Sequence, residues 1–194
     1  DWTRAVALAR SLDGPLPPPA EDVPAFDAAQ DAACAELRAE LVAAIGEDTA
    51  PLQRAIATAA AAGPGAIDGQ PFRDRHLALQ RSMLGHTGRL RGRLRDMLAQ
   101  RPDRARLAEL DAFMEQVLSP REQGLFATLP GLLGGHFTRL QQAAVEAASP
   151  SDGDSAFSTS WLDAFRRDMQ AIALDELDVR FQPIDGLLAA LRTP

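Results

Sequence analysis

The chain has no lysine, no tyrosine, a single cysteine, and no apolar run approaching the roughly eighteen residues that a membrane-spanning helix requires. Each absence excludes something. One cysteine, Cys34, rules out an intramolecular disulfide framework and suits a reducing compartment. It falls in phase with Leu37, Leu41 and Ile45, which reads as a small buried hydrophobe rather than a reactive thiol. Aromatic residues make up only 5 % of the chain while alanine and leucine dominate, a balance that favours helices over sheets. With lysine missing, all 20 basic residues are arginines. GC-biased coding accounts for that, so arginine abundance alone carries no functional signal. The chain opens on Asp1-Trp2, already in helical phase and without an initiator methionine; the expectation is an upstream piece, with any signal or anchor lying on it.

What is present is one long stretch that obeys a helical rule in both its apolar residues and its charges. From Phe72 to Gln100, Phe72, His76, Leu79, Met83, His86, Leu90, Leu94 and Met97 recur at steps of three and four, marking one face of a helix about 43 Å long. Leu77, Leu84 and Leu98 form a second, weaker apolar line. On the far side lie Gly85, Gly88 and Gly92, with Arg81, Arg89 and Arg95 beside them. Three interior glycines cost about 3 kcal/mol relative to alanine, which calls for compensation. Close approach of another helix backbone is the leading explanation. An anionic partner held between the arginines is the second, and nucleic acid is disfavoured there because stacking aromatics are missing.

Net charge is −7, against a generic nucleic-acid coat. The total hides a division. Residues 73–106 carry ten arginines against three aspartates, a net +7, whereas residues 13–48 carry nine acids against Arg38, a net −8. The simplest use of this asymmetry is internal, with acidic helices lying beside the basic one.

In chain order, residues 1–12 read as the end of a helix with Trp2, Ala5, Leu8, Ala9 and Leu12 on one side, followed by a proline-rich connection at 12–26. A second helix runs from about Asp27 to Ile45 and stops at Gly46. A third starts at Asp48 or Thr49 with Pro51 in its first turn and reaches Ala62. Gly63 to Pro71 is a breaker-rich loop that delivers the chain to the long helix. After Pro102, Leu107, Leu110, Met114 and Val117 keep the helical period and predict an antiparallel return. Ser119-Pro120-Arg121-Glu122 fits a capping box, either starting a new helix or kinking the existing one. Leu125, Leu129, Leu132, Leu133, Phe137 and Leu140 continue an apolar side to Ala148, with a kink expected at Pro130. Residues 149–159 have linker composition. A final helix carries Trp161, Phe165, Met169 and Ile172, with Leu174, Leu177 and Phe181 drifting to a neighbouring side; Pro183 breaks it, leaving a last short helix with Ile184, Leu187, Leu188 and Leu191.

No catalytic or cofactor pattern is present: the motifs of zinc peptidases, the phosphate loop, the dinucleotide fold and the serine-hydrolase elbow are all missing. His76 and His86 lie ten residues apart, without the spacing of paired helical metal ligands, and read as hydrogen-bonded helix-interface histidines. His136 has no partner visible in sequence. Asp175, Glu176 and Asp178 point different ways around a helix and read as a solvated face.

Four segments are similar to an uncharacterised proteobacterial family, number 3348 among the domains of unknown function. They are the opening Asp1-Trp2-Thr3-Arg4-Ala5-Val6-Ala7-Leu8, then Phe72 to Gln80, Leu107 to Asp111, and Trp161 to Met169. The resemblance covers nearly the whole chain; the Ser119-Pro120 step and the glycines after Pro130 depart from it. It implies a soluble accessory subunit of an envelope machine, because members tend to be encoded beside an inner-membrane protein resembling ion-driven motor stators and beside a peptidoglycan binder resembling outer-membrane protein A. It supplies no catalytic residues.

These readings combine into an all-α, elongated antiparallel bundle built around the long central helix. The bundle occupies 1–148, with a flexible linker at 149–159 and C-terminal helices at 160–194 packed on it. The expected role is a non-enzymatic adaptor or scaffold, cytoplasmic or peripheral to the inner membrane, with a protein partner, scope for homo-oligomerisation, and neither metal nor cofactor. Its partner-binding residues would be Arg81, Gly85, Gly88, Arg89, Gly92 and Arg95. The alternative is a polyanion or nucleic-acid binder using residues 73–106.

Overall fold

A computed structural model describes residues 2, 6, 9, 13–16, 18, 20–147 and 159–193. The fold is all-α, a helical bundle, with no strand among the described residues. Among the described residues these helices follow one another: α1 Ala28–Gly46, α2 Ala50–Ala62, α3 Gln70–Ala99, α4 Ala105–Phe126, α5 Leu129–Ala147 and α6 Ser160–Arg192, with a 3-10 turn at Pro64–Ala66. Most of the expected N-terminal helix lies outside the described residues, as does the expected linker except residue 159. Positions 2, 6 and 9 are helical.

Local chemistry sets the boundaries. Asp27 caps α1, its Oδ1 accepting from the backbone N–H of Ala29 and Gln30 at 2.9 Å each. Gly63, at φ 86° and ψ 169°, takes an extended positive-φ conformation open essentially to glycine alone, and α2 ends before it. Asp68 Oδ1 accepts from the Gln70 N–H at the start of α3. At the other end of α1, Arg75 donates to the carbonyls of Ala44 and Glu47, which have no partner within the helix.

Pro130 and Pro183 behave differently from expectation, and at Pro120 one of the two open readings drops out. Pro120 lies inside α4 and starts no new helix. Pro130 is in the first turn of α5, so the predicted kink is instead a break at residues 127–128. Pro183 does not split the last helix, which runs unbroken to Arg192. An interior proline costs about 3 kcal/mol. The offset here is burial of Phe181, Ile184, Leu187, Leu188 and Leu191, all at most 5 % exposed, on both sides of the proline.

The chain forms two compact units, neither continuous in sequence: unit 1 is Asp1–Glu40, Met83–Leu125 and Asp178–Pro194, and unit 2 is Leu41–Ser82 and Phe126–Leu177. The core of unit 2 gathers Leu52, Ile67, Phe72, Leu133, Phe137, Leu162, Phe165 and Met169. Its centre is aromatic: the Phe137 ring meets Phe72, Phe165 and Trp161 at centroid distances of 5.5, 5.1 and 5.4 Å. A Cβ at Gly69 would lie 3.0 Å from that ring, so any larger residue there requires the ring to give by a few tenths of an ångström.

Unit 1 buries Cys34, Met83, Leu90, Leu94, Met97 and Leu98 with the apolar end of α6. Burial pushes the Cys34 thiol up from its ordinary pKa, and Asp31 adds to that. Arginines tie the unit together. Arg38 donates to Asp178 and Asp185 and lies 4.9 Å over the Phe181 ring. Arg192 grips Asp31. Arg101 and Arg104 donate to the last carbonyls of the C-terminal helix, at Leu191, Thr193 and Ala190. The proline-rich connection is held here too, its Gly14 and Ala20 carbonyls accepting from Arg106 and Gln100.

Candidate interaction surfaces

The apolar stripe of α3 is placed as its periodicity requires: all eight residues are buried except His86, which is half-buried. Its charged side divides in two. Arg91 makes a forked pair with Asp111, at 2.8 Å, and Arg95 bonds Glu115 at 2.7 Å and lies 3.5 Å from Asp111. The basic helix therefore meets acids of α4 here. The acidic segment before it pairs with α6 instead, through Asp31–Arg192 and Asp48–Arg166.

Of the six residues expected to bind a partner, Arg95 is thus occupied. Arg81, Gly88 and Arg89 are exposed, and Gly85 and Gly92 are half-buried. No other backbone among the described residues closes on the glycines. Among the described residues a Cβ at Gly88 or Gly92 would meet no atom within 4 Å, and one at Gly85 would meet only the Arg89 guanidinium, at 3.3 Å. Packing by the described helices does not account for them. Arg93, which the sequence reading passed over, joins Arg89, His86, Gly92, Asp96 and Leu37 of α1 around a hollow of about 470 Å³. The i,i+4 spacing of Arg89 and Arg93 was the available signal.

The second surface lies on α4, where hydrophobic periodicity selects one face and packing uses another. Ala105 and Ala108 are the buried residues of this helix, with Asp111 and Glu115 following on the same side. The predicted stripe is left partly in solvent: Leu107 and Met114 are 42 and 39 % exposed and Leu110 and Val117 half-buried, and Leu118 beside it is 44 % exposed. Small residues and ion pairs let α4 lie close to the arginines of α3, which turns the larger apolar residues outward. Leu107, Leu110 and Met114 line a groove of about 260 Å³ together with Pro183, Gly186 and Leu187 of α6.

Unit 2 holds a buried polar constellation that the sequence reading misjudged. Glu176 is not on a solvated face; it is 1 % exposed and lies with its Oε2 3.9 Å from His76 Nε2. Gln80 donates to Glu176 at 2.9 Å and to the Phe126 carbonyl at 2.9 Å. Nor is His76 a hydrogen-bonded interface histidine, since both ring nitrogens are buried without a hydrogen-bond partner among the described residues. Burial holds the imidazole pKa below its ordinary value, and the Glu176 carboxylate only partly offsets that.

The sign of the resulting pH dependence follows. The folded-state pKa is depressed, so below about pH 6.5 the unfolded chain binds the proton more readily and stability falls. The loss accumulates as pH drops through the unfolded value and ends below the folded one. Denaturant midpoints should therefore fall between about pH 7.5 and pH 5.5, and the fall should shrink in His76→Phe. An equal slope in both proteins would contradict the assignment to His76.

His136, without a visible partner in sequence, has one 32 residues away: its Nε2 lies 2.8 Å from Asp168 Oδ2. Beside the aromatic core, a cavity of about 270 Å³ is rimmed by Asp68, Gln70, Arg73, Thr138 and Gln141. Most of these polar groups are engaged locally. Gln141 donates to the carbonyls of Pro64 and Ile67, Gln70 to Asp74 and Thr138 to the Gly134 carbonyl, while Asp68 caps α3. No nucleophile–base pair converges there. Among the described residues no group of three or more His, Cys, Asp or Glu is placed to hold a metal ion.

A family model described as "Protein of unknown function (DUF3348)" matches residues 1–193. No curated protein and no solved structure matches the chain.

Proposed function

Because the chain belongs to the DUF3348 family of proteins of unknown function, and because α4 leaves a line of leucine and methionine in solvent, we propose that it is a non-enzymatic helical adaptor that binds an amphipathic helix of a partner protein. The observation that carries this is the line Leu107, Leu110, Met114 and Leu118, spaced three, four and four residues apart on one side of a helix. Apolar surface arranged this way loses free energy in water and regains it when a helix with matching spacing covers it. The adjoining groove favours such a ligand, because Gly186 presents no side chain there and a Cβ on it would meet no described atom within 4 Å.

The partner we propose is the inner-membrane component, resembling ion-driven motor stators, of a bacterial envelope complex, with the adaptor at its cytoplasmic side. No helix of the described residues is long and apolar enough to cross a membrane itself. A polyanion-binding role has less support, since Arg91 and Arg95 are spent on Asp111 and Glu115.

Co-purification with the membrane protein encoded beside it should succeed at low salt. Met114→Asp combined with Leu118→Asp should cut recovery at least about tenfold, as loss of a central anchor does. Both positions are exposed, so the circular dichroism spectrum should not change. Undiminished recovery of the partner by the double variant would sink the proposal.

A further inference from the structure

Within unit 1, some of the ionised groups on α1 and on this part of α3 are already committed. On α1, Asp31 holds Arg192, and Arg38 bonds Asp178 and Asp185. On α3, Arg91 and Arg95 are taken by Asp111 and Glu115. Apart from the exposed Asp96, what remains uncommitted falls into two matched pairs. Glu36 and Glu40 are exposed one turn apart on α1, and Arg89 and Arg93 are exposed one turn apart on α3; none of the four has an ion-pair partner among the described residues. The arginine pair borders the hollow, whose α1 wall is Leu37, next to Glu36 and three residues before Glu40 in the same helix.

We propose that this face is where a second copy of the chain docks, with Glu36 and Glu40 of one copy meeting Arg89 and Arg93 of the other. A patch with an acidic edge and a basic edge is self-complementary. A two-fold rotation lays each acidic pair on the arginine pair opposite, so both halves of the interface are satisfied at once. The spacing agrees, because i,i+4 on either helix advances about 6 Å. The bulk agrees as well. Near the glutamates α1 carries the exposed Ala32, Ala33 and Ala39, and α3 presents Gly88 and Gly92 with no described atom within 4 Å of a Cβ there. Faces with such small side chains allow helix axes to approach to the short end of the usual 8–10 Å range. This gives the interior glycines the compensation that packing by the described residues does not.

Other occupants fit less well. Nucleic acid would bring phosphates against Glu36 and Glu40, on a chain of net charge −7. A small carboxylate would satisfy the arginines and leave the glutamates as they are. Asp96 borders the same hollow and offsets one of the two arginine charges, so the interface draws on both halves of the two-fold rather than on one ion pair.

Sedimentation velocity of the wild-type chain at about 100 µM should show a dimer near 0.05 M salt, with its dissociation constant weakened at least about tenfold near 0.5 M, where the screening length falls to a few ångströms. Glu36→Arg with Glu40→Arg should be monomeric, as should Arg89→Glu with Arg93→Glu. An equimolar mixture of the two variants should dimerise, because every contact across the two-fold is then again between opposite charges. That recovery also shows that both variants are folded. A wild-type monomer at low salt overturns the proposal, as does a dimer that survives either charge reversal or a mixture that stays monomeric. A dimer lost in the Met114→Asp, Leu118→Asp variant but kept in both charge reversals would place the contact on α4 and equally reject it.

Discussion

Phe137→Ala should lower the unfolding free energy by about 3–5 kcal/mol, among the largest effects of any single truncation in unit 2. The side chain is 5 % exposed and touches three other aromatic rings, two of them edge-on. Removing it forfeits its own burial together with the contacts of the rings that surround it. Collapse is limited on the Gly69 side, where the ring is already pressed against a residue without a side chain. The space would open into the cavity that Phe137 lines, which makes an unrelaxed void the expected result. Phe137→Leu keeps most of the volume and should cost less than about 2 kcal/mol. Trp161 lies 5.4 Å from the ring, so its fluorescence during chemical denaturation reports on this core directly. A loss under about 1 kcal/mol for the alanine variant would mean that the aromatic cluster is not what holds the unit together.

The residues that were read correctly share a physical property: their position follows from local periodicity alone. The stripe from Phe72 to Met97 is buried because a helix with eight apolar or neutral residues on one line has only one face to hide. The α1 boundaries follow from Asp27, whose side chain reaches the N–H groups two and three residues ahead. Both signals act within a turn or two of helix.

Misreadings arose where two elements compete for a face. On α4 the larger apolar residues mark a stripe, yet alanines beside aspartate and glutamate are what α3 receives, because its arginines demand acids at short range. Nothing in the α4 sequence says that its neighbour's charges outweigh its own leucines. The reading of Pro183 fails for a related reason: a proline penalty is local, whereas the burial that offsets it comes from other elements of unit 1. Glu176 looked solvated because its neighbours Asp175 and Asp178 are exposed; only tertiary structure brings His76 and Gln80 to it. Of the surfaces, the Gly85, Gly88 and Gly92 side was visible in sequence. That it stays open was not, and neither was the partition of arginines into Arg91 and Arg95, which are spent, and Arg89 and Arg93, which are not.

That partition supplies the second large effect. Asp111→Ala should destabilise unit 1 by about 3 kcal/mol, because it strands a charged guanidinium that is mostly out of water. The Arg91 and Asp111 side chains are only 13 and 11 % exposed, so solvent screening does little to reduce the loss. Asp111 accepts at both carboxylate oxygens from Arg91 and lies 3.5 Å from Arg95. Glu115, the remaining acid, is 3.9 Å from Arg91 and already bonds Arg95, so it cannot fully serve both. The double change Arg91→Leu with Asp111→Leu removes both charges and restores apolar contact. Its cost should be less than about 1 kcal/mol, well below that of either single replacement, which is how a buried pair behaves when its desolvation cost nearly equals its attraction. If the single and double variants lose equal stability, the pair contributes through packing alone. If Asp111→Ala is neutral, the arginines of α3 are not anchored by α4, and the account of why its leucines face outward fails with it.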